Sequence, residues 1–235
     1  MKLYITKSPS LCLLVFAMLQ LPPAHAEPPM HVDDAGTLAL GGMKVEGSWR
    51  KDDQQRGAEL LLGFSPVTNL ELSVAAARDR DTAVHPASLL YGTGIGAKWV
   101  PIQRETGWSL GARLDLGRTR INARSVPLKY YEHEVALNGL ATFRSEGGQV
   151  VHLSLGATRV SALGQHDTQT TWGAGFEQPL REKLTLIAEI YGQEHGGADK
   201  AIGLRFEVIE GFKLSAILGR GNQRNFAQAG FAWEF

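Results

Sequence analysis

The chain has 235 residues, with 24 basic and 24 acidic side chains. That balance gives no electrostatic reason for nucleic-acid binding. No apolar run long enough for a spanning helix follows residue 26, so insertion as a helix bundle is excluded. The 27 glycines are spread along the chain and no low-complexity tract interrupts it, so one large domain is expected.

Lys2 and Lys7 precede the apolar run Leu11–Leu21, and Ala24-His25-Ala26 follows as a small-residue cleavage site. This order is that of a secretory signal peptide over residues 1–26, and its run is too short for a membrane span. The single cysteine, Cys12, falls inside the signal, and Leu11 stands where a lipoprotein needs a small residue. The mature chain, starting at Glu27, therefore holds no disulfide. Loss of the two signal lysines leaves it slightly acidic. Residues 27–40 read as a periplasmic N-terminal segment, of which Glu27–Thr37 either plugs the barrel or trails into the periplasm, and 41–235 read as a transmembrane β-barrel.

From there the pattern is period-two alternation, which is a strand signal. Met43, Val45 and Trp49 alternate with Lys44, Glu46, Ser48 and Arg50. Leu60, Leu62 and Phe64 lead into a turn at 65–69, and Leu70, Leu72 and Val74 follow. Tyr91, Ile95 and Trp99 precede a turn at 101–107, then Trp108, Leu110, Leu114 and Leu116. Tyr131, Val135, Leu137 and Phe143 run to a turn at 145–148, then Val151, Leu153 and Leu155. Trp172 and Phe176 precede a turn at 179–183, followed by Leu184, Leu186 and Ile190. Ile202, Leu204 and Phe206 meet Phe212, Leu214 and Leu218 across Glu210-Gly211. The last stretch, Phe226–Phe235, places Phe231, Trp233 and Phe235 on one face and ends on an aromatic.

About twelve strands result, an even number, and an antiparallel transmembrane β-barrel is expected. The links near 51–56, 79–86, 119–128, 161–167, 194–198 and 221–224 carry more charge, and several are longer than the alternate turns. Short periplasmic turns and longer external loops are the rule for such barrels, so both termini are expected in the periplasm. A soluble β-sandwich would share the alternation, but not the signal, the loop asymmetry and the aromatic end. The closing stretch resembles the last strand of Gram-negative outer-membrane barrels. The resemblance implies that Phe231, Trp233 and Phe235 serve as the signal read by the barrel-assembly machinery. Outer-membrane lipid and lipopolysaccharide are the other expected partners.

With the apolar positions turned to lipid, the opposite positions line the lumen. The candidates are Lys44, Glu46, Arg50, Glu59, Glu71, Lys98, Arg113, Asp115, Glu132, Glu134, His152, Glu177, Glu189, Arg205, Glu207 and Lys213. Both signs occur, with a modest acidic excess, unlike a single-sign selectivity lining. These charges satisfy one another in a narrow barrel or line a pore for small solutes. Glycines such as Gly92, Gly94 and Gly96 share this face and leave room or permit curvature.

Catalysis, cofactors and metals are not expected. Tyr131–Gly139 superficially resembles the His-x-Ser-Asn-Gly segment of outer-membrane phospholipases, but Val135 stands where the nucleophile belongs. His133 is left as an interfacial residue near the outer rim. Asp33-Asp34 and Arg78-Asp79-Arg80-Asp81 lack metal-ligand spacing and read as solvated loops.

Two segments narrow the resemblance. His31-Val32-Asp33-Asp34-Ala35-Gly36-Thr37-Leu38 before a first strand with Trp49 resembles the opening of the MetA-pathway phenol-degradation family of outer-membrane proteins. Glu189–Gly192, Gly203–Phe206, Leu214–Gly221 and the aromatic end look similar to that family too. The resemblance implies a channel or transporter-like barrel for small, hydrophobic or aromatic solutes, and it supplies no catalytic residues. A closed structural or surface-interaction barrel is the alternative, and a lipid-modifying enzyme the second.

Overall fold

The computed structural model describes residues 27–124 and 128–235. The predicted export signal, with Cys12, lies outside the described residues. Twelve strands follow one another: β1 (Met43–Asp52), β2 (Gln55–Val67), β3 (Leu70–Asp81), β4 (Ser88–Ile102), β5 (Gly107–Ala123) and β6 (Leu128–Arg144). Then come β7 (Val150–Ala162), β8 (Gln165–Arg181), β9 (Leu184–Gln193), β10 (Asp199–Ile209), β11 (Phe212–Gly221) and β12 (Arg224–Glu234). Each pairs antiparallel with its sequence neighbour, and β1 pairs with β12 from Lys44↔Glu234 to Asp52↔Phe226. The β1–β12 pairing closes the sheet, so around the closed girdle each strand is paired on both sides, as an apolar solvent requires.

Alternation decides the two faces. Leu62, Val74, Ile95, Leu114, Leu137, Leu155, Ile202 and Leu218 all lie on the exposed outer surface. An apolar belt of this extent is what a transmembrane barrel turns to lipid. Trp99, Trp108, Phe143, Phe176, Trp233 and Phe235 edge the belt at the end that holds the chain termini. Phe226, of the opposite parity to Phe231, Trp233 and Phe235, faces inward from β12 and is buried.

The connections at the terminal end are short, and this end is called the turn end. At the opposite, loop end, three links predicted as longer are two-residue turns at 53–54, 163–164 and 222–223. Leu163 (φ 52°) with Gly164 (φ 79°), and Asn222 (φ 47°) with Gln223 (φ 61°), adopt left-handed backbone at both positions. Such turns match the twist of a hairpin, yet Leu and Gln seldom adopt positive φ, so the sequence carries little sign of them. The strands therefore run further than expected. Arg78-Asp79-Arg80-Asp81, read as a solvated loop, is the end of β3: Asp79 and Asp81 are buried inward while Arg78 and Arg80 are exposed outward. β5, β6 and β8 have 17 residues against 10 in β9 and β11. At about 3.3 Å per residue, the tall wall rises roughly 20 Å further along the strand than the short one.

Residues 27–38 run inside the barrel. Met30, Val32 and Ala35 are almost completely buried, and Met30 joins Ile187, Ala201, Ile217 and Phe226 in the main internal apolar cluster. Val32 lies against Gly173 and Gly175 of β8, where an added Cβ would meet its side chain at 2.7 Å and 3.4 Å. Glycines on this wall thus make room for a segment of chain, not for solvent.

Candidate functional site

The lumen is built by strand parity. All the predicted lumen charges fall on the inward register of their strands. Lys44 bridges Glu46 (3.1 Å) and Glu71 (2.8 Å), and Arg50 binds Asp79 (2.7 Å). Arg113 holds Asp115 (3.0 Å), while Glu177 accepts from Arg205 (2.8 Å) and contacts His152 Nε2 (3.2 Å). Glu59, Glu132 and Glu134 face the lumen on the β2–β6 wall with no ion pair among the described residues. Glu207 lies near the turn end, where one of its carboxylate oxygens accepts from the Gly211 N–H (3.2 Å).

The N-terminal segment ties these groups together. Asp33, 4% exposed, pairs with Lys98 (3.3 Å) and Arg113 (3.4 Å), which corrects its reading as a solvated loop residue. Asp34 pairs with Lys98 (2.9 Å) and Arg144 (3.5 Å). Glu27 pairs with Arg205 and Lys213. Glu189 takes the backbone N–H of His31 (2.7 Å) and of Val32 (3.1 Å), and its other oxygen meets His31 Nδ1 (3.1 Å). The Ala35 N–H donates to Thr142 Oγ1 (2.7 Å) and the Thr37 N–H to Gln103 Oε1 (3.0 Å). Side chains of the wall therefore satisfy a backbone that has no ladder of its own.

The electrostatics match this docking. Burial, the largest single influence, pushes the Asp34 carboxyl up, but Lys98, through its charge and its hydrogen bond, acts together with the other positive groups around it to hold the carboxyl well below the usual carboxylate range. Burial likewise opposes ionisation of Glu27, and Arg205 with Lys213 hold its carboxyl below the ordinary value.

Above the segment, toward the loop end, lies a cavity of about 420 Å³. Its floor is His31 and Asp33, and Asn138, Gln169, Tyr191 and Gln228 stand in its wall. The His31 ring stacks on Tyr191 with centroids 4.3 Å apart. Arg224 bridges Asp52 (2.7 Å) and Asp199 (2.9 Å) across the mouth. A second hollow of about 60 Å³ lies against Glu59, Asp115, Glu134 and the glycines of β4. Sequence reasoning missed His31, Tyr191, Arg224 and Asp199. The last two follow from strand parity once the 222–223 turn is known, whereas nothing in residues 27–38 announces an internal path.

On the outer face, the register sets Ser161 of β7 opposite both His133 and His166, with Ser161 Oγ 2.8 Å from His166 Nδ1. A hydroxyl does stand beside His133, although one strand away from Val135.

A closed antiparallel sheet with an apolar exterior, whose lumen holds a charged segment, defines a β-barrel of the outer-membrane type. Residues 14–233 match the family described as Uncharacterised conserved protein UCP029691, and the chain belongs to that family. No curated protein sequence matches it. Solved structures show the same fold. The COG4313 outer membrane channel from Pseudomonas putida F1 superposes with a TM-score of 0.66 at 11% identity, covering 86% of this chain and 98% of that one. The KdgM porin in complex with disordered oligogalacturonate gives 0.60 at 13% identity, covering 82% and 99%. The translocator domain of the autotransporter NalP from Neisseria meningitidis gives 0.59 at 13% identity, covering 85% and 89%.

Proposed function

We propose that the protein is an outer-membrane channel for small solutes, closed in this conformation by residues 27–38. One observation carries the reading. The segment that fills the turn-end half of the lumen is held to the wall largely by ion pairs and hydrogen bonds, above all Asp33 with Lys98 and Arg113. Water entering the lumen can replace such contacts, so displacement leaves a passage lined by polar groups. A twelve-stranded wall encloses more space than the eight-stranded barrels that side chains alone fill. The likeness to porins and channels agrees with this fold for the task.

In this reading the loop end faces outward, the termini lie in the periplasm, and residues 1–26 are the cleaved export signal. Phe231, Trp233 and Phe235 are the strand signal for the barrel-assembly machinery. The charged and amide lining of the vestibule favours polar solutes. The hydrophobic or aromatic solutes implied by the MetA-pathway resemblance have Tyr191 and Phe226 as their contacts there. Conductance in planar lipid bilayers tests the proposal: discrete openings that become frequent once residues 27–38 are released support it. A barrel that stays silent after their release is a sealed structural or surface-interaction barrel.

A second reading, ester hydrolysis at the outer rim, is favoured by the contact of Ser161 with His166 beside His133. Among the described residues no carboxylate bonds either imidazole, so the pair lacks the group that orients a catalytic base. Hydrolysis of phospholipid by purified protein, lost in Ser161→Ala, would establish it.

A further inference from the structure

Past the loop-end edge of the apolar belt, the outward face of the tall wall is basic. Arg78, Arg80, Arg118, Arg120 and Arg159 project from β3, β5 and β7, and all are exposed. The register makes them neighbours. Tyr91 of β4 lies between Arg78 and Arg120, Arg120 is opposite Tyr131, and Arg118 is opposite His133. Tyrosine rings carry three of the guanidiniums: Arg78 and Arg120 lie 5.8 Å and 4.9 Å from the Tyr91 centroid, and Arg118 lies 4.0 Å from that of Tyr131. Such contacts position a cation without neutralising it.

The contrast with the interior is complete among the described residues. Inside, every lysine and arginine of the wall has a carboxylate partner. On the outer rim these five arginines have none, because the alternation that sends them outward turns Asp79, Asp81, Asp115, Glu132 and Glu134 inward. Charges of opposite sign next to each other in sequence end on opposite faces of one wall.

An unneutralised row of forked donors, held at the upper edge of a lipid-facing belt, fits one occupant. Guanidinium matches phosphate in bidentate geometry, and tyrosine suits the boundary between apolar and polar zones. We propose that this rim is a docking surface for the phosphate-bearing headgroup of an anionic glycolipid, lipid A of the outer leaflet. The inference rests on the outer-membrane reading above.

The test uses the full mature chain, folded in neutral detergent and equilibrated with lipid A, with dephosphorylated lipid A, or with phosphatidylcholine. Native mass spectrometry then counts the lipid retained. Lipid A should be retained in preference to both others. Retention should fall about tenfold or more in the triple variant Arg78→Gln, Arg118→Gln, Arg120→Gln, since each charge-assisted pair with phosphate is a strong one. Retention should be unchanged in Arg181→Gln with Lys183→Gln, at the turn end. A heat-modifiable, folded barrel that retains the three lipids equally, or that retains lipid A undiminished in the triple variant, overturns the docking surface and leaves the barrel reading intact. Displacement of lipid A by millimolar inorganic phosphate would make the rim a free-anion site and overturn the proposal as well. A mature protein that stays soluble without detergent would overturn both readings.

Discussion

Neutralising Asp33 tests whether the internal segment is a gate. Asp33→Asn keeps the shape of the side chain and removes the charge that Lys98 and Arg113 share. Breaking a buried ion pair from one side costs about 3–5 kcal/mol. Here each cation keeps a second carboxylate, Asp34 at 2.9 Å from Lys98 and Asp115 at 3.0 Å from Arg113, and the lost contacts are long. The low end of that range, about 3 kcal/mol, therefore applies, which shifts the closed-to-open ratio on the order of a hundredfold. The strand ladders are untouched, so heat-modifiable migration should match the wild type. Single-channel recording in planar bilayers reads the effect as a rise in open probability. Proteolysis of residues 27–38, protected in the closed form, should accelerate in parallel. An Asp33→Asn protein that is folded, silent and equally protected would refute the gating argument.

Acid should open the channel. The carboxyls of Asp34 and Glu27 are held below their ordinary range when docked, so their contribution is complete above that range and is lost as pH falls through it. Openings absent at neutral pH should appear on stepwise acidification, and a channel that closes in acid would contradict the sign. Leu155→Arg, at a 65% exposed position near the middle of β7, should destabilise the barrel in lipid vesicles by about 2–4 kcal/mol; urea titration would detect a smaller value if that face were not in lipid. Reversal potentials across a salt gradient should show cation preference in the opened protein, because Glu59, Glu132 and Glu134 face the lumen without an ion-pair partner among the described residues. Replacing the three by glutamine should reduce that preference.

Much of the fold was legible because strand parity is a local property. Alternation alone puts Lys98, Arg113 and Glu189 on the face opposite the apolar belt, and all three are buried. Loop lengths were less legible: Leu163-Gly164 and Asn222-Gln223 close two-residue turns without the usual residues, and strands hidden in charged stretches were read as loops. Asp33 and Asp34 misled for a different reason. Their environment is a wall contributed by β4, β5 and β6, more than sixty residues away along the chain.

Composition and alternation by themselves determined the class of this protein, the strand number and which side chains share a strand face, since a strand's two faces follow from its own residues. Only the tertiary structure decided that residues 27–38 return into the lumen, and that among the described residues the inner lysines and arginines of the wall are paired with carboxylates while the arginines of the outer rim are not. Those outcomes depend on which strands meet across the barrel and on what fills it, and closure brings such groups together from positions that share no local pattern.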